Sequence, residues 1–376
     1  MIYRCFAVLL ALCMVCGAVA TAVTEKQDFS ELENRALTAR LTFTWQDIRD
    51  GRFIEKTEQY LAEQWAGRRV LLSIRSLTEL AVGRRENNGV VWTGRYGLIA
   101  SGTHLRADTA EQNANAMQAF VLKKEKNGES VSVMIAPMKA DITGVMCGGE
   151  ALREDVWKIV NNKLKGAEHL TKVLENATAD GEETFYRTDH HWNVRGAHIA
   201  YAEICNKLAL TPYPVTAFEV QTIRDDFRGS LYSKSGMLWL GGETLTLWRY
   251  EGDGGYSVTL SDGEELMIGH YDMSFYAKKD GYSIWYGGNH GYMKIVEKYQ
   301  THREELVVIK DSFANSVLPF LALHYDLTVI DPRYIDPQDE QVLAALNQTN
   351  VLILCGIETI ATDTSIARLL TNSGEK

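Results

Sequence analysis

From Cys5 to Val23 the chain runs nineteen residues without a charge, and Arg4 stands directly before that run. A helix of this length spans ~28 Å, close to the hydrocarbon thickness of a bilayer. Two readings fit: a signal peptide cleaved after Ala18-Val19-Ala20, or an uncleaved anchor with its positive end inside. Both place everything after Thr24 outside the cytoplasm, secreted or held at the membrane by this segment alone. Beyond it, FIEKTEQYLAEQW and RRVLLSIRSLTELAVG space apolar residues at three and four, which predicts amphipathic helices in a lead-in over residues 25–100. From Val131 the texture changes. VSVMIAP reads as a buried strand, EDVWKIVNNKLKGAEHLTKVLENA as helix, ETFYR as a short extended run and VRGAHIAYAEICNKLAL as an amphipathic helix. Residues 211–300 alternate aromatic and β-branched positions (TLTLWRY, YSVTL, MSFYA, YSIWYGG) between the turns EGDGG, SDGEE and KKDG, a β-rich insertion. The last quarter alternates apolar strands (ELVVIKD, LTVIDPR, VLILCGI) with helices (ANSVLPFLALHY, DEQVLAALNQ, ATDTSIARLL). That order predicts an α/β fold over residues 101–376, a parallel sheet flanked by helices that meets ligands at the carboxyl ends of its strands.

Composition narrows the function classes. With 39 Lys and Arg against 49 Asp and Glu, the net charge of −10 repels phosphate backbones, so nucleic acid is not an expected partner. Three of the six cysteines lie in the leader; Cys147, Cys205 and Cys355 are an odd remainder in apolar contexts, which favours buried thiols over a disulfide framework.

Ser312 follows the strand LVVIK and opens the segment ANSVLPFL, so its hydroxyl is placed at the carboxyl edge of the sheet, where helix-start N–H groups can receive an oxyanion. Capping by Asp311 and Ser312 is the competing explanation. A serine nucleophile needs a base, and the base needs an orienting carboxylate. The string TDHHWN supplies both: Asp189 and His191, two apart on an extended segment, project to one side. Helix capping by Asp189, or a metal held by Asp189, His190 and His191, are the alternatives, although no HExxH or second His pair accompanies them. Gly287-Gly288-Asn289, after the expected strand YSIWY, offers Gly288 and Asn289 as oxyanion donors or as an ordinary turn.

The DHHW string, ENR at Glu33 to Arg35, DGRF near Asp50, the IAPMKADI strand exit and KDSFANSVLPFL around Ser312 together resemble the DHHW proteins. These are relatives of the alginate O-acetyltransferases AlgJ and AlgX, with an SGNH-hydrolase-like catalytic domain. The resemblance implies Ser312 as nucleophile, His191 as base and Asp189 as its carboxylate, in a permuted order with the Asp/His pair first. It favours His191 over His190, because the related enzymes vary the residue between Asp and His. Lys310-Asp311-Ser312 departs from the usual G-D-S by a bulky residue before the aspartate. Arg333, in DPRY after the next strand, and Trp192 are candidate substrate-binding residues. The expected activity is serine-dependent O-acetylation or O-deacetylation of a polysaccharide, with no cofactor and no metal. One apolar leader cannot itself carry an acyl donor across a membrane, and for that step the resemblance implies a multi-spanning membrane acyltransferase as partner. The alternative is a non-catalytic carbohydrate-binding or scaffold component of a polysaccharide export machine.

Overall fold

The structure, a computed structural model, describes residues 2–30, 35–38, 42, 44–261 and 263–372. Glu33 and Asn34 of the ENR string lie outside them. The chain forms two compact units, residues 1–88 with 232–240, and residues 89–231 with 241–376. The expected boundary at residue 100 therefore lies inside the second unit.

In the first unit, α1 covers Ile2–Val23, α2 Arg52–Gln64 and α3 Arg68–Ala81. Among the described residues no helix is long and apolar enough to cross a membrane; several side chains of α1 are outside that set, so the uncharged run from Cys5 to Val23 stands as a sequence feature. The two amphipathic helices form where the apolar spacing places them, each entered through a glycine with positive φ, Gly51 and Gly67. Buried Ser76 on α3 donates to the carbonyl of Ser235 at 3.1 Å, which satisfies a polar group that the apolar spacing alone would leave stranded.

The second unit is built on one mixed sheet. Its strands are β1 (Ser130–Ala136), β2 (Glu168–His169), β3 (Tyr256–Leu260), β4 (Glu265–Ile268), β5 (Tyr292–Glu297), β6 (Glu305–Lys310), β7 (Asp326–Ile330) and β8 (Asn350–Gly356). They lie in the order β4-β3-β5-β7-β6-β8-β1-β2. The five from β7 to β2 are parallel, and β5, β3 and β4 add on antiparallel. Continuous apolar runs such as LVVI in β6 and VLILC in β8 suit strands covered on both faces, and all of these residues are buried. The expected insertion is thus partly absorbed: β3, β4 and β5 extend the main sheet, and among the described residues Glu219–Phe227 with Glu243–Arg249 make a separate antiparallel pair.

Three local expectations are corrected. The long helix expected from Glu154 is interrupted, with helix over Glu150–Lys163, Gly166 at φ +77°, strand β2 and a second helix over Thr171–Ala179. YSIWY is not a strand: Gly281–Ile284 is a 3-10 turn, and its Tyr282 and Ile284 with the following Trp285 and Tyr286 are all buried, so the aromatic texture served burial rather than a ladder. Ser312 opens a 3-10 turn, Ser312–Ser316, and only Leu318–Leu321 is α-helical. Pro319 lacks an N–H and crowds the carbonyl four residues earlier, which stops an α-helix from running through this stretch. The helix-dipole support expected for Ser312 is therefore withdrawn, since a single α turn has little of it.

Candidate active site

β6 lies at the middle of the sheet, and the connections out of β6 and β7 leave in opposite directions, to β7 on one side and over β6 to β8 on the other. The crevice beyond the carboxyl end of β6 is the position such a reversal opens for ligands. Asp311 and Ser312 sit there. Asp311 caps the 3-10 turn by accepting from Phe313 N at 3.0 Å and ties it to β8 by accepting from Gly356 N at 2.7 Å. Each oxygen of its carboxylate holds one backbone N–H of the loop, so it is the cap that the strand-to-helix junction implied. Ser312 beside it is half-buried and reachable.

His191 Nε2 lies 2.8 Å from Ser312 Oγ, and His191 Nδ1 lies 2.7 Å from Asp189 Oδ1. Because an ionised carboxylate only accepts, Nδ1 carries the proton and Nε2 faces the serine as acceptor. Asp189 Oδ1 also accepts from His191 N at 2.9 Å, and Oδ2 accepts from Ser230 N at 2.6 Å. Burial alone would raise the Asp189 pKa, yet the two imidazoles and these hydrogen bonds hold it well below the ordinary carboxylate value. Burial and the neighbouring His190 push His191 below the usual imidazole value, against the pull of Asp189. The resting pair at neutral pH is a carboxylate and a neutral imidazole.

The imidazole is clamped. Tyr282 stacks on His191 with centroids 3.9 Å apart and 2° between planes, and the Phe313 ring meets it near edge-on at 5.1 Å. Tyr282 Oη donates to Ser312 O at 3.1 Å, so one side chain holds both the base and the backbone of the serine. Trp192 is corrected as a substrate-binding candidate: it is wholly buried, and its Nε1 donates to Phe313 O and Ser316 Oγ, both at 3.0 Å. It pins the histidine segment to the serine turn. Thr188 is anchored by Glu243, which accepts from Arg187 N at 2.7 Å and Thr188 N at 2.6 Å.

His190 is half-buried, with Nδ1 at 2.7 Å from Ser230 Oγ. Ligating atoms of Asp189, His190 and His191 all lie within 4.8 Å of one another, the set expected for the metal alternative. In this arrangement Nδ1 of His191 is engaged by Asp189 and Nδ1 of His190 by Ser230 Oγ.

Gly288 is corrected as an oxyanion donor: its N–H is spent on Trp285 O at 3.1 Å within a turn, where its φ of +107° requires glycine. Asn289 remains, half-buried, with its Oδ1 accepting from Lys310 Nζ at 3.0 Å and from Asn315 Nδ2 at 3.1 Å. Arg333 is held bidentate on Asp331, Nε at 2.8 Å and Nη2 at 2.7 Å, and is neither a free turn arginine nor an unpaired anion binder.

Tyr282, Glu243 and Ser230 carried no sequence signal, since each reaches the site from a segment distant in sequence. Lys310 did carry one: a lysine ending an otherwise apolar central strand must find buried acceptors. Gly229 is a further requirement, because a Cβ there would clash with the Asp189 side chain. Gly229→Ala is expected to displace Asp189 and lower kcat/KM by about 10²-fold, the cost of a misplacement near 1 Å. Ester hydrolysis kinetics check this, and wild-type kcat/KM in a folded variant would contradict it.

Residues 156–330 match the model of the family described as DHHW protein. No curated protein matches the chain. Among solved structures, a DHHW family protein from Eubacterium siraeum is similar, at 21% identity and TM-score 0.63, over 76% of this chain and 96% of that one. Bacillus cereus PatB1, solved with a sulfonyl adduct, is 16% identical with TM-score 0.57, over 73% of this chain and 98% of its own. The O-acetyltransferase domain of Pseudomonas putida AlgJ is 16% identical with TM-score 0.44, over 75% of this chain and 99% of its own. The first two share the fold of this chain.

Proposed function

We propose that this DHHW-type chain is an exported SGNH-like serine O-acyltransferase that places acetyl groups on, or removes them from, hydroxyls of a cell-surface or secreted polysaccharide. The observation that carries the reading is the unbroken relay from Asp189 through His191 to half-exposed Ser312, with contacts of 2.7 and 2.8 Å. His191 Nε2 takes the hydroxyl proton as Ser312 Oγ bonds to the acyl carbon. The tetrahedral oxyanion is met by the Asn289 side-chain amide and by Ser312 N–H, which as the first N–H of its turn has no acceptor within that turn. The donor's alcohol or thiol leaves with the proton from His191. A sugar hydroxyl or water then attacks the acyl-serine, gives its proton to His191 and releases Ser312. Arg333, with Nε and Nη2 taken up by Asp331, is left out of the substrate contacts of this reading.

The acyl donor reaches the exported chain through a multi-spanning membrane acyltransferase partner. The test is acetyl transfer to glycan hydroxyls in cells carrying the wild-type or the Ser312→Ala chain at equal protein levels. Loss of acetylation with Ser312→Ala supports the reading. Persistent acetylation overturns it, and persistence with unchanged glycan binding would leave a scaffold role standing.

The base must be neutral to act. With His191 held below the imidazole's ordinary value, the acid limb of kcat/KM for an acetyl ester is expected below pH ~6.5, so activity survives mild acid. A limb centred well above that value would contradict the burial argument.

A further inference from the structure

Lys310 ends β6, one residue before the cap of the serine turn, and is completely buried. Its position in a strand explains why the chain needs no glycine there: the residue is extended, and what matters is where the side chain goes. Nζ donates to Asn315 Oδ1 at 2.8 Å, Asn289 Oδ1 at 3.0 Å and Asp331 Oδ2 at 3.2 Å. Three protons meet three acceptors, so the ammonium is fully satisfied, and Asp331 supplies its counter-charge.

An ammonium can only donate, so each asparagine beside it must turn its oxygen inward; a flipped amide would set NH₂ against NH₃⁺. Asn315 Nδ2 then bonds Asn289 Oδ1 at 3.1 Å, filling that oxygen's second lone pair. Both lone pairs of Asn289 Oδ1 are thus taken by Lys310 and Asn315, which fixes the rotation of the carboxamide of this half-buried residue, and Asn315 of the serine turn also reaches Gly288 O next to it at 3.4 Å.

We propose that Lys310 is a positioning residue that fixes the Asn289 carboxamide with its N–H groups directed at the oxyanion. This rests on the acyltransfer reading, with Ser312 as nucleophile. Lys310 touches no reacting atom and acts through Asn289.

The experiment is a double-variant cycle on the full chain, reading kcat and KM for p-nitrophenyl acetate. Asn289→Ala is expected to lower kcat by ~10²- to 10³-fold, the loss of one oxyanion donor. Lys310→Met is expected to lower kcat by roughly 10- to 100-fold with KM changed by less than about threefold, because an interaction specific to the transition state is lost. Lys310→Met combined with Asn289→Ala should be no slower than Asn289→Ala alone. Losses that multiply, or a Lys310→Met effect confined to KM or to thermal stability, overturn the proposal. If Lys310→Met does not fold, Lys310→Met with Asp331→Asn removes both buried charges together and is compared with Asp331→Asn alone, the same kcat loss being expected and its absence being contrary. If Ser312→Ala keeps full activity, the underlying reading fails instead, which separates the two results.

Discussion

Ser312→Ala is expected to lower kcat for acyl transfer by roughly five to six orders of magnitude, the scale set by removing a serine nucleophile. The substitution deletes one oxygen from a half-buried side chain whose hydrogen bond is to His191 Nε2 at 2.8 Å. A typical internal hydrogen bond contributes about 1 kcal/mol, so the stability change is small. The turn itself is held by Asp311 on Phe313 N and Gly356 N and by Trp192 on Phe313 O, none of which involves the Ser312 hydroxyl. Loss of activity with an unaltered melting temperature is the expected pair of measurements. Activity within a factor of ten of wild type would remove Ser312 from the chemistry.

Asp189→Asn is expected to lower kcat by ~10⁴-fold with little change in overall shape. Asp189 receives three N–H donors, two on Oδ1 from His191 and one on Oδ2 from Ser230 N. An asparagine must offer NH₂ on one side. Placed at the Oδ2 position, it faces the Ser230 N–H, donor against donor. Placed at the Oδ1 position, it opposes His191 N–H and forces the imidazole into the tautomer protonated on Nε2, which cannot accept the serine proton. Steady-state kinetics with an acetyl ester test this, and a loss of less than tenfold in a folded variant would mean that the carboxylate does not set the tautomer.

The parts of this molecule that were legible in the sequence are those whose cause is local. The parallel strands VSVMIA, ELVVIK, DLTVI and NVLILCG are apolar runs that need burial on both faces, and the amphipathic helix over Val194–Lys207 repeats its apolar positions regularly. Asp189, His191 and Ser312 were singled out because a relay restricts residue types and because the TDHHWN and KDSF strings resemble a family; Ser312 follows strand β6, whereas Asp189 and His191 lie on a bend segment ahead of the helix over Val194–Lys207. What was hidden is set by contacts distant in sequence. Tyr282 looked like part of a strand because an aromatic that stacks on an imidazole and an aromatic that pairs across a sheet have the same composition. Trp192 looked available for substrate because nothing local shows that its N–H is consumed by Phe313 O and Ser316 Oγ. Gly288 is the exception: its N–H is spent locally, on Trp285 O three residues back, by a turn whose form the sequence does not dictate. Lys310 read as a departure from a motif, and its reason became visible only with Asn289, Asn315 and Asp331 around it.

The central claim is that Ser312 is a nucleophile activated by His191. Its most direct test is treatment of the full chain with a sulfonyl fluoride, followed by intact mass and peptide mapping. The account predicts one covalent adduct, on Ser312, absent from Ser312→Ala and formed far more slowly in His191→Ala. An adduct on another residue, or equal labelling of Ser312 with and without the His191 imidazole, would contradict it.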